Sequence, residues 1–312
     1  MTSTLEKTRL RTLLGDYPNT VALKKAEVTS NLVDFDFADV KVPNTAFKPL
    51  VREARFDLGE LAIVTYLQSR DHGKPYVLIP ATVLGRGQHH TIVYNPQRGA
   101  LSAHDLTGKR VGVRAYTQTT GAWVRGFLSD DYGVDVTKVH WITFEDPHVA
   151  EFKDPNFVVR APEGKALVQM LLDGELDAAI VGDKLPDPRL APLIPDADTT
   201  AQTWAKKHGG VPINHMMAIR NTISKSRPDL AKEIYRVLRE SRRAVPPLEG
   251  SWADPWRFGV EANRASLEII IDYSFRQKLI SRMLSVDELF DDCTRALECF
   301  NIICSTRTAH FQ

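Results

Sequence analysis

Gly108-Lys-Arg-Val-Gly-Val-Arg-Ala-Tyr-Thr-Gln-Thr-Thr-Gly-Ala-Trp-Val-Arg-Gly-Phe-Leu128 reads as a short strand that turns into a helix. Arg110 to Val113 is the buried strand and Tyr116 to Thr120 a hydroxyl-rich turn. Trp123, Val124, Phe127 and Leu128 then recur at the spacing of one helix face. Thr117, Thr119 or Thr120 caps that helix, and Gly121 lets another group come close to the backbone. Free N–H groups at a helix start, several hydroxyls and Arg114 beside them make a place to hold a small carboxylate, because the helix dipole has the favourable sign there. The plain alternative is an ordinary strand-to-helix turn.

Toward the C-terminus the alternation continues. Val139 to Thr143 is a strand, and the helix Lys165 to Leu176 carries Leu167, Met170, Leu171 and Leu172 as core residues and stops at Gly174. Asp177 to Asp183 is a buried strand running into Gly182 and Asp183, and ligands of open α/β sheets sit just past such strand ends. Asp183 is therefore a candidate contact. The segment Gly210 to Arg220 reads as a crossing between lobes, and His215 within it, between apolar residues, reads on its own as a core histidine.

Before the opening stretch, Leu10 to Leu14 is a strand and Gly15 to Thr20 the turn that ends it, with Asp16 a candidate substrate contact. Asn19 or Thr20 caps a short helix ending near Val28. Asn31 to Phe37 alternates as a strand, and a helix follows from about Asn44 to Ala54. Arg55 to Leu67 begins as a strand or tight turn and continues as a helix with Glu60 near its start. There a carboxylate is favoured by the helix dipole whether or not it works as an acid at a cleft. Tyr76 to Pro80 and Thr91 to Asn95 are strands joined by Gly85-Arg-Gly-Gln-His-His90. Neighbours on a strand point to opposite faces, so at most one of His89 and His90 faces a given cleft, and the pair alone does not make a zinc site. Strand and helix alternate throughout, which favours α/β lobes with mainly parallel sheets.

The chain has 312 residues, enough for two lobes each with its own core. A hydrophobic share of 43% with 25% charged residues is that of a globular protein, and a net charge of +1 lacks the basic footprint of nucleic-acid binders. No apolar run reaches the length of a membrane span, and the first residues lack the apolar core of an export signal, so a cytoplasmic location is expected. Cys293, Cys299 and Cys304 are odd in number and lack Cys-x-x-Cys spacing, which favours reduced thiols. The C-terminal third is helical: Arg227 to Ser241 with proline in the first turn, an aromatic loop Asp254 to Asn263, then Arg264 to Phe275 and Val286 to about Cys299. Trp252, Trp256 and Phe258 there pack on the first lobe or on another subunit, the first lobe being the expected choice.

Two α/β lobes, 1–100 plus 217–312 and 101–216, joined by two crossovers and followed by a helical C-terminal extension, with a ligand cleft between them, resemble the type 2 periplasmic-binding-protein architecture. More narrowly, the chain resembles the 4,5-dihydroxyphthalate decarboxylase family. The matching stretches are Phe56-Asp-Leu-Gly-Glu-Leu61, the loop ending in His90 and Asp105-Leu-Thr-Gly-Lys-Arg-Val-Gly-Val113. Trp123-Val-Arg-Gly-Phe-Leu128, Asp131-Tyr-Gly-Val134, Pro212-Ile-Asn-His215 and Asp254-Pro-Trp-Arg-Phe-Gly-Val-Glu-Ala-Asn-Arg264 continue the match. The family pattern has Arg-His where this chain has His89-His90, and a Ser or Arg near Gly182-Asp183. Those departures fall at expected substrate contacts and leave room for a different aromatic or heteroaromatic acid.

The resemblance implies non-oxidative decarboxylation of a hydroxylated aromatic dicarboxylate, 4,5-dihydroxyphthalate to 3,4-dihydroxybenzoate (protocatechuate) and CO2. Such a reaction needs no redox cofactor. It needs a held carboxylate, a ring hydroxyl able to lose its proton, and an acid that protonates the carbon bearing the leaving group. One carboxylate is expected at Arg114 and the Tyr116, Thr117, Thr119 and Thr120 turn, since arginine grips a carboxylate by two parallel bonds. His90 and His215 take the acid and base roles, with Glu60 or Asp183 orienting one of them. A divalent metal held by His90, His215 and Glu60 or Asp183 is chemically reasonable, although no short-range spacing demands one. Two other functions fit the same fold: a non-catalytic binding protein for an aromatic acid, and the thiamine-pyrimidine synthase branch with its pyridoxal phosphate lysine. Lys109, Lys165 and Lys184 lack that branch's motif context.

Overall fold

A computed structural model describes residues 6–246 and 253–298. Trp252, Cys299 and Cys304 lie outside the described residues. In chain order the strands are β1 (Thr8–Leu13), β2 (Val33–Phe37), β3 (Leu58–Ala62), β4 (Tyr76–Gly85), β5 (Ile92–Tyr94) and β6 (Arg110–Val113). β7 (His140–Thr143), β8 (Val158–Arg160), β9 (Ala178–Ile180), β10 (Ala191–Pro192) and β11 (Ile213–Arg220) follow. The helices are α1 (Val21–Lys24), α2 (Phe47–Glu53), α3 (Ile63–Asp71), α4 (Thr119–Tyr132) and α5 (Leu167–Asp173). After them come α6 (Ala197–His208), α7 (Asn221–Ser226), α8 (Pro228–Arg243), α9 (Val260–Arg276) and α10 (Asp292–Arg295). No helix among the described residues is long and apolar enough to cross a membrane.

The described chain forms two units. One holds the chain up to Gly85, Ile213–Glu268 and the residues from Leu284 on, and the other holds Arg86–Pro212 and Ile269–Met283. Residues 86–100 thus belong with the second unit and not the first, because β5 pairs with β9 through Ile92 with Ile180 and Val93 with Ala179. The chain also passes between the units four times and not two, since the end of α9 is part of the second. There Tyr273 meets Trp123 edge-on at 5.8 Å, and the Gln277 carboxamide donates to the Ala122 carbonyl at 2.8 Å.

The first unit's sheet has the order β2-β1-β3-β11-β4, with β1 parallel to both β2 and β3 and β11 antiparallel to both its neighbours. All five residues of β3, Leu-Gly-Glu-Leu-Ala, are buried. Glu60 therefore lies in mid-sheet and not in a helix's first turn, and the helix begins only at Ile63. Gly59 decides this locally: a Cβ there would stand 2.6 Å from Leu50 Cδ1, so α2 packs directly on the strand. On the other face Leu230, Ile234 and Leu238 of α8, one helical turn apart, pack against Leu10, Leu58, Val77, Ile79 and Ile219. Burying each such side chain contributes about 2 kcal/mol. The register of β11 against β4 slips between Ile213 and Ala218, a bulge of the kind that re-aims side chains, and His215 sits within it.

The second unit's sheet runs β10-β5-β9-β6-β7-β8, parallel from β9 through β8, with β5 antiparallel to β9 and β10. The apolar face of α4 is buried where Phe127 meets Trp204 at 5.0 Å between ring centres. Glycine is required at position 126, where a Cβ would stand 2.0 Å from the Tyr273 ring.

Two expected helix features differ. Thr20 occupies the cap position of α1 but its hydroxyl donates back to the Gly15 carbonyl at 2.7 Å, and that helix ends at Lys24. The run from Val286 breaks into a short 3-10 turn (Val286–Leu289), α10 and another 3-10 turn (Ala296–Glu298), because the side chains of Ser285 and Asp291 each start a new capped turn. Trp256 is buried beneath Arg242, and Phe258 packs on Tyr235, all in the first unit. Cys293 is an unpaired, partly buried thiol.

Candidate active site

In the first unit, Glu60 and His215 face each other across adjacent strands. The Glu60 side chain is fully buried, and three donors converge on it: the Gly15 N–H at 2.6 Å on Oε1, the Tyr17 hydroxyl at 3.0 Å on Oε2, and His215 Nδ1 at 2.9 Å on Oε2. A carboxylate accepts only, so Nδ1 carries the hydrogen and Nε2 is the atom left to give or take a proton. No partner stands at Nε2 among the described residues, and the His215 side chain is 15% exposed. The edge contact with Phe47, 5.2 Å between ring centres, fixes the other side of the imidazole. Burial first, then the Glu60 charge, pushes the Tyr17 phenol well above its ordinary range, so it stays a donor. Gly15 permits the arrangement, since a Cβ there would stand 2.8 Å from both Glu60 Oε1 and the Tyr17 ring.

In the second unit, His90 Nε2 lies 3.2 Å from Asp183 Oδ1, and Arg86 Nη1 meets the same oxygen at 2.5 Å. His89 and His90 sit on a 3-10 turn, which separates them as a strand would: His90 reaches the surface, while His89 is buried flat against Phe127 at 4.2 Å. Neither ring nitrogen of His89 has a partner among the described residues. Burial, and secondarily the neighbouring His90, brings its pKa down to about 4.

The Tyr116 to Thr120 turn differs from its expected form. Gln118 and not a threonine takes the cap position of α4, with no side-chain cap bond, and Thr119 and Thr120 are the first helical residues. Arg114 is engaged by Glu145, Nη1 to Oε2 at 2.9 Å. The Tyr116 ring is buried and its hydroxyl donates to the Gln277 carbonyl at 3.2 Å, so Tyr116 supports the turn from within. Asp16 is 79% exposed and paired with Lys24. Thr117, Thr119 and Thr120 are all nearly buried. No group of three or more His, Cys, Asp or Glu side chains is gathered for a metal among the described residues.

Three residues that sequence reasoning passed over belong to these clusters: Gly15, Tyr17 and Arg86. Gly15 and Tyr17 flank Asp16, but nothing in the turn's composition says which of them meets a strand 45 residues on. Arg86 lies in the His90 loop, where the two histidines are the stronger signal.

No family model matches the chain. The 4,5-dihydroxyphthalate decarboxylase of Pseudomonas putida is 32% identical over 214 residues, which cover 64% of this chain and 82% of that one. The chain belongs to the 4,5-dihydroxyphthalate decarboxylase family. A second member, from Comamonas testosteroni, is 28% identical over 334 residues, 96% of this chain and all of that one. Among solved structures, the alkanesulfonate-binding protein SsuA from Xanthomonas axonopodis pv. citri superposes with a TM-score of 0.57 at 12% identity, over 92% of this chain and 99% of that one. The chain thus has the type 2 periplasmic-binding-protein-like fold, and at that identity the likeness speaks for the fold alone.

Proposed function

We propose that the chain is a carboxy-lyase that converts 4,5-dihydroxyphthalate to 3,4-dihydroxybenzoate and CO2 in phthalate catabolism. The names of its relatives support the substrate, and the observation that carries the chemistry is the buried Glu60–His215 pair with Nε2 unpartnered. Glu60 stabilises the imidazolium and fixes its tautomer, so His215 delivers a proton from Nε2 to the ring carbon that bears the leaving carboxylate. The hydroxyl para to that carbon loses its proton, to His90 in this reading, and a cyclohexadienone forms. The C–CO2 bond then breaks, its electron pair restores the aromatic ring, and the dienone oxygen regains a proton. One proton enters and one CO2 leaves.

The carboxylate that is retained binds at the Tyr116 to Thr120 turn, where Thr117, Thr119 and Thr120 sit beside the start of α4. His215→Ala is expected to lower kcat about 10²- to 10⁴-fold, the usual worth of a general acid. The test is CO2 release by the purified protein, metal-stripped and then supplied with a divalent ion. Binding of the substrate without release under either condition would leave a binding protein in place of an enzyme.

A further inference from the structure

Arginines of this unit differ in how their charge is answered. Arg114 is answered by Glu145, Arg86 by Asp183, and Arg276 by Asp130 and Asp272. Arg125 is not. Its side chain is 0% exposed, and no carboxylate hydrogen-bonds to it among the described residues. Nε donates to Gln277 Oε1 at 2.7 Å, Nη2 to the Tyr116 carbonyl at 2.6 Å, and Nη1 has no partner among the described residues. Asp154 acts on it only through its field.

Helix geometry explains how the guanidinium comes to lie there. Side chains on a helix lean toward its N-terminus, and residue 125 stands one turn after residue 121. Because residue 121 is glycine, the arginine reaches back across the first turn: a Cβ at Gly121 would stand 3.0 Å from Nη1. The guanidinium packs 4.0 Å from the centre of the Tyr116 ring and 5.3 Å from that of Trp141. A buried cation is thus held at the helix end that already carries positive partial charge. Both features are unfavourable alone, and an anion at the first turn relieves both at once.

We propose that the first turn of α4 with Arg125 beneath it is an anion site, and that its ligand is the retained carboxylate of the substrate. The inference rests on the reading of this turn as the carboxylate anchor, and it assigns to Arg125 the charge that Arg114 spends on Glu145. Arg125 acts from behind the turn as a positioning and charge-balancing residue.

The experiment is calorimetric titration of the purified protein with phthalate, which carries both carboxylates and no hydroxyl, and with catechol, which carries the diol and no carboxylate. Arg125→Met is expected to weaken phthalate at least tenfold and catechol less than threefold, and Arg125→Lys, which keeps the charge, to recover most of the phthalate affinity. Gly121→Ala places a methyl group against Nη1 and is expected to weaken phthalate at least threefold with catechol unchanged, which carries the test if the methionine variant does not fold. Equal losses for both ligands, or a lysine variant as weak as the methionine one, would overturn the role of Arg125 while leaving the anchor reading intact. Wild-type protein that binds catechol but not phthalate would overturn the anchor reading itself.

Discussion

Replacing His89 with phenylalanine separates the two adjacent histidines by what they do. The imidazole is 1% exposed, stacked on Phe127 and without a partner at either nitrogen among the described residues, so its pKa falls from the ordinary 6.5 to about 4. In the unfolded chain the ordinary value returns. Above pH 6.5 the group is neutral in both states and costs nothing. As the pH falls toward 4, the unfolded state takes up a proton that the folded state refuses, and stability is lost. With those two values the loss is about 2 kcal/mol between pH 7 and pH 5, and about 3 kcal/mol by pH 4. His89→Phe keeps the stacked ring and removes the titration. Urea unfolding followed by tryptophan fluorescence reads this unit, because Trp204 lies 6.4 Å from His89 between ring centres. The variant should lie within about 1 kcal/mol of wild type at pH 7 and lose about 2 kcal/mol less than wild type on acidification to pH 5, with CO2 release unchanged. Equal losses in the two proteins would refute the argument.

Glu60→Gln keeps an acceptor for Gly15 but removes the charge that stabilises a protonated His215, and kcat is expected to fall about 10²- to 10³-fold with a smaller change in KM, read by steady-state kinetics. Gly15→Ala presses a methyl group on Glu60 Oε1 and the Tyr17 ring, so kcat should fall at least about tenfold while thermal melting shows no more than about 3 kcal/mol of destabilisation, the usual range for overpacking. Gly126→Ala meets the Tyr273 ring at 2.0 Å and should cost about 1–3 kcal/mol or more in urea unfolding, with no effect on the pH dependence of turnover.

Elements with a strong period were legible in the sequence: β6 and α4 from the opening stretch, α5 with its glycine stop, and α8 with proline in its first turn. The sequence puts Glu60 near a helix start because Leu-Gly-Glu-Leu-Ala and the residues after it satisfy a helix pattern as well as a strand. Only the pairing of β3 with β1 and β11 distinguishes the two. The same holds for residues 213–220, which look like a crossing in one dimension and are a central strand in three. Glu60 and His215 could be named as site candidates from residue type, but their hydrogen bond depends on a strand register that joins residues 155 positions apart. Arg114 reads as the carboxylate anchor in the sequence because it adjoins the turn, while Glu145, brought to it by the pairing of β6 with β7, is invisible at that distance. Arg125 was hidden differently. It lies among the apolar residues of an amphipathic helix, where arginine is ordinarily a surface residue.

The most direct test of the account is CO2 release from 4,5-dihydroxyphthalate by wild-type protein and by His215→Ala and Glu60→Gln, with substrate binding measured on the same preparations. The account predicts turnover by wild type and loss of at least about a hundredfold in kcat in both variants, with binding largely kept. Turnover undiminished in the His215 variant would contradict it.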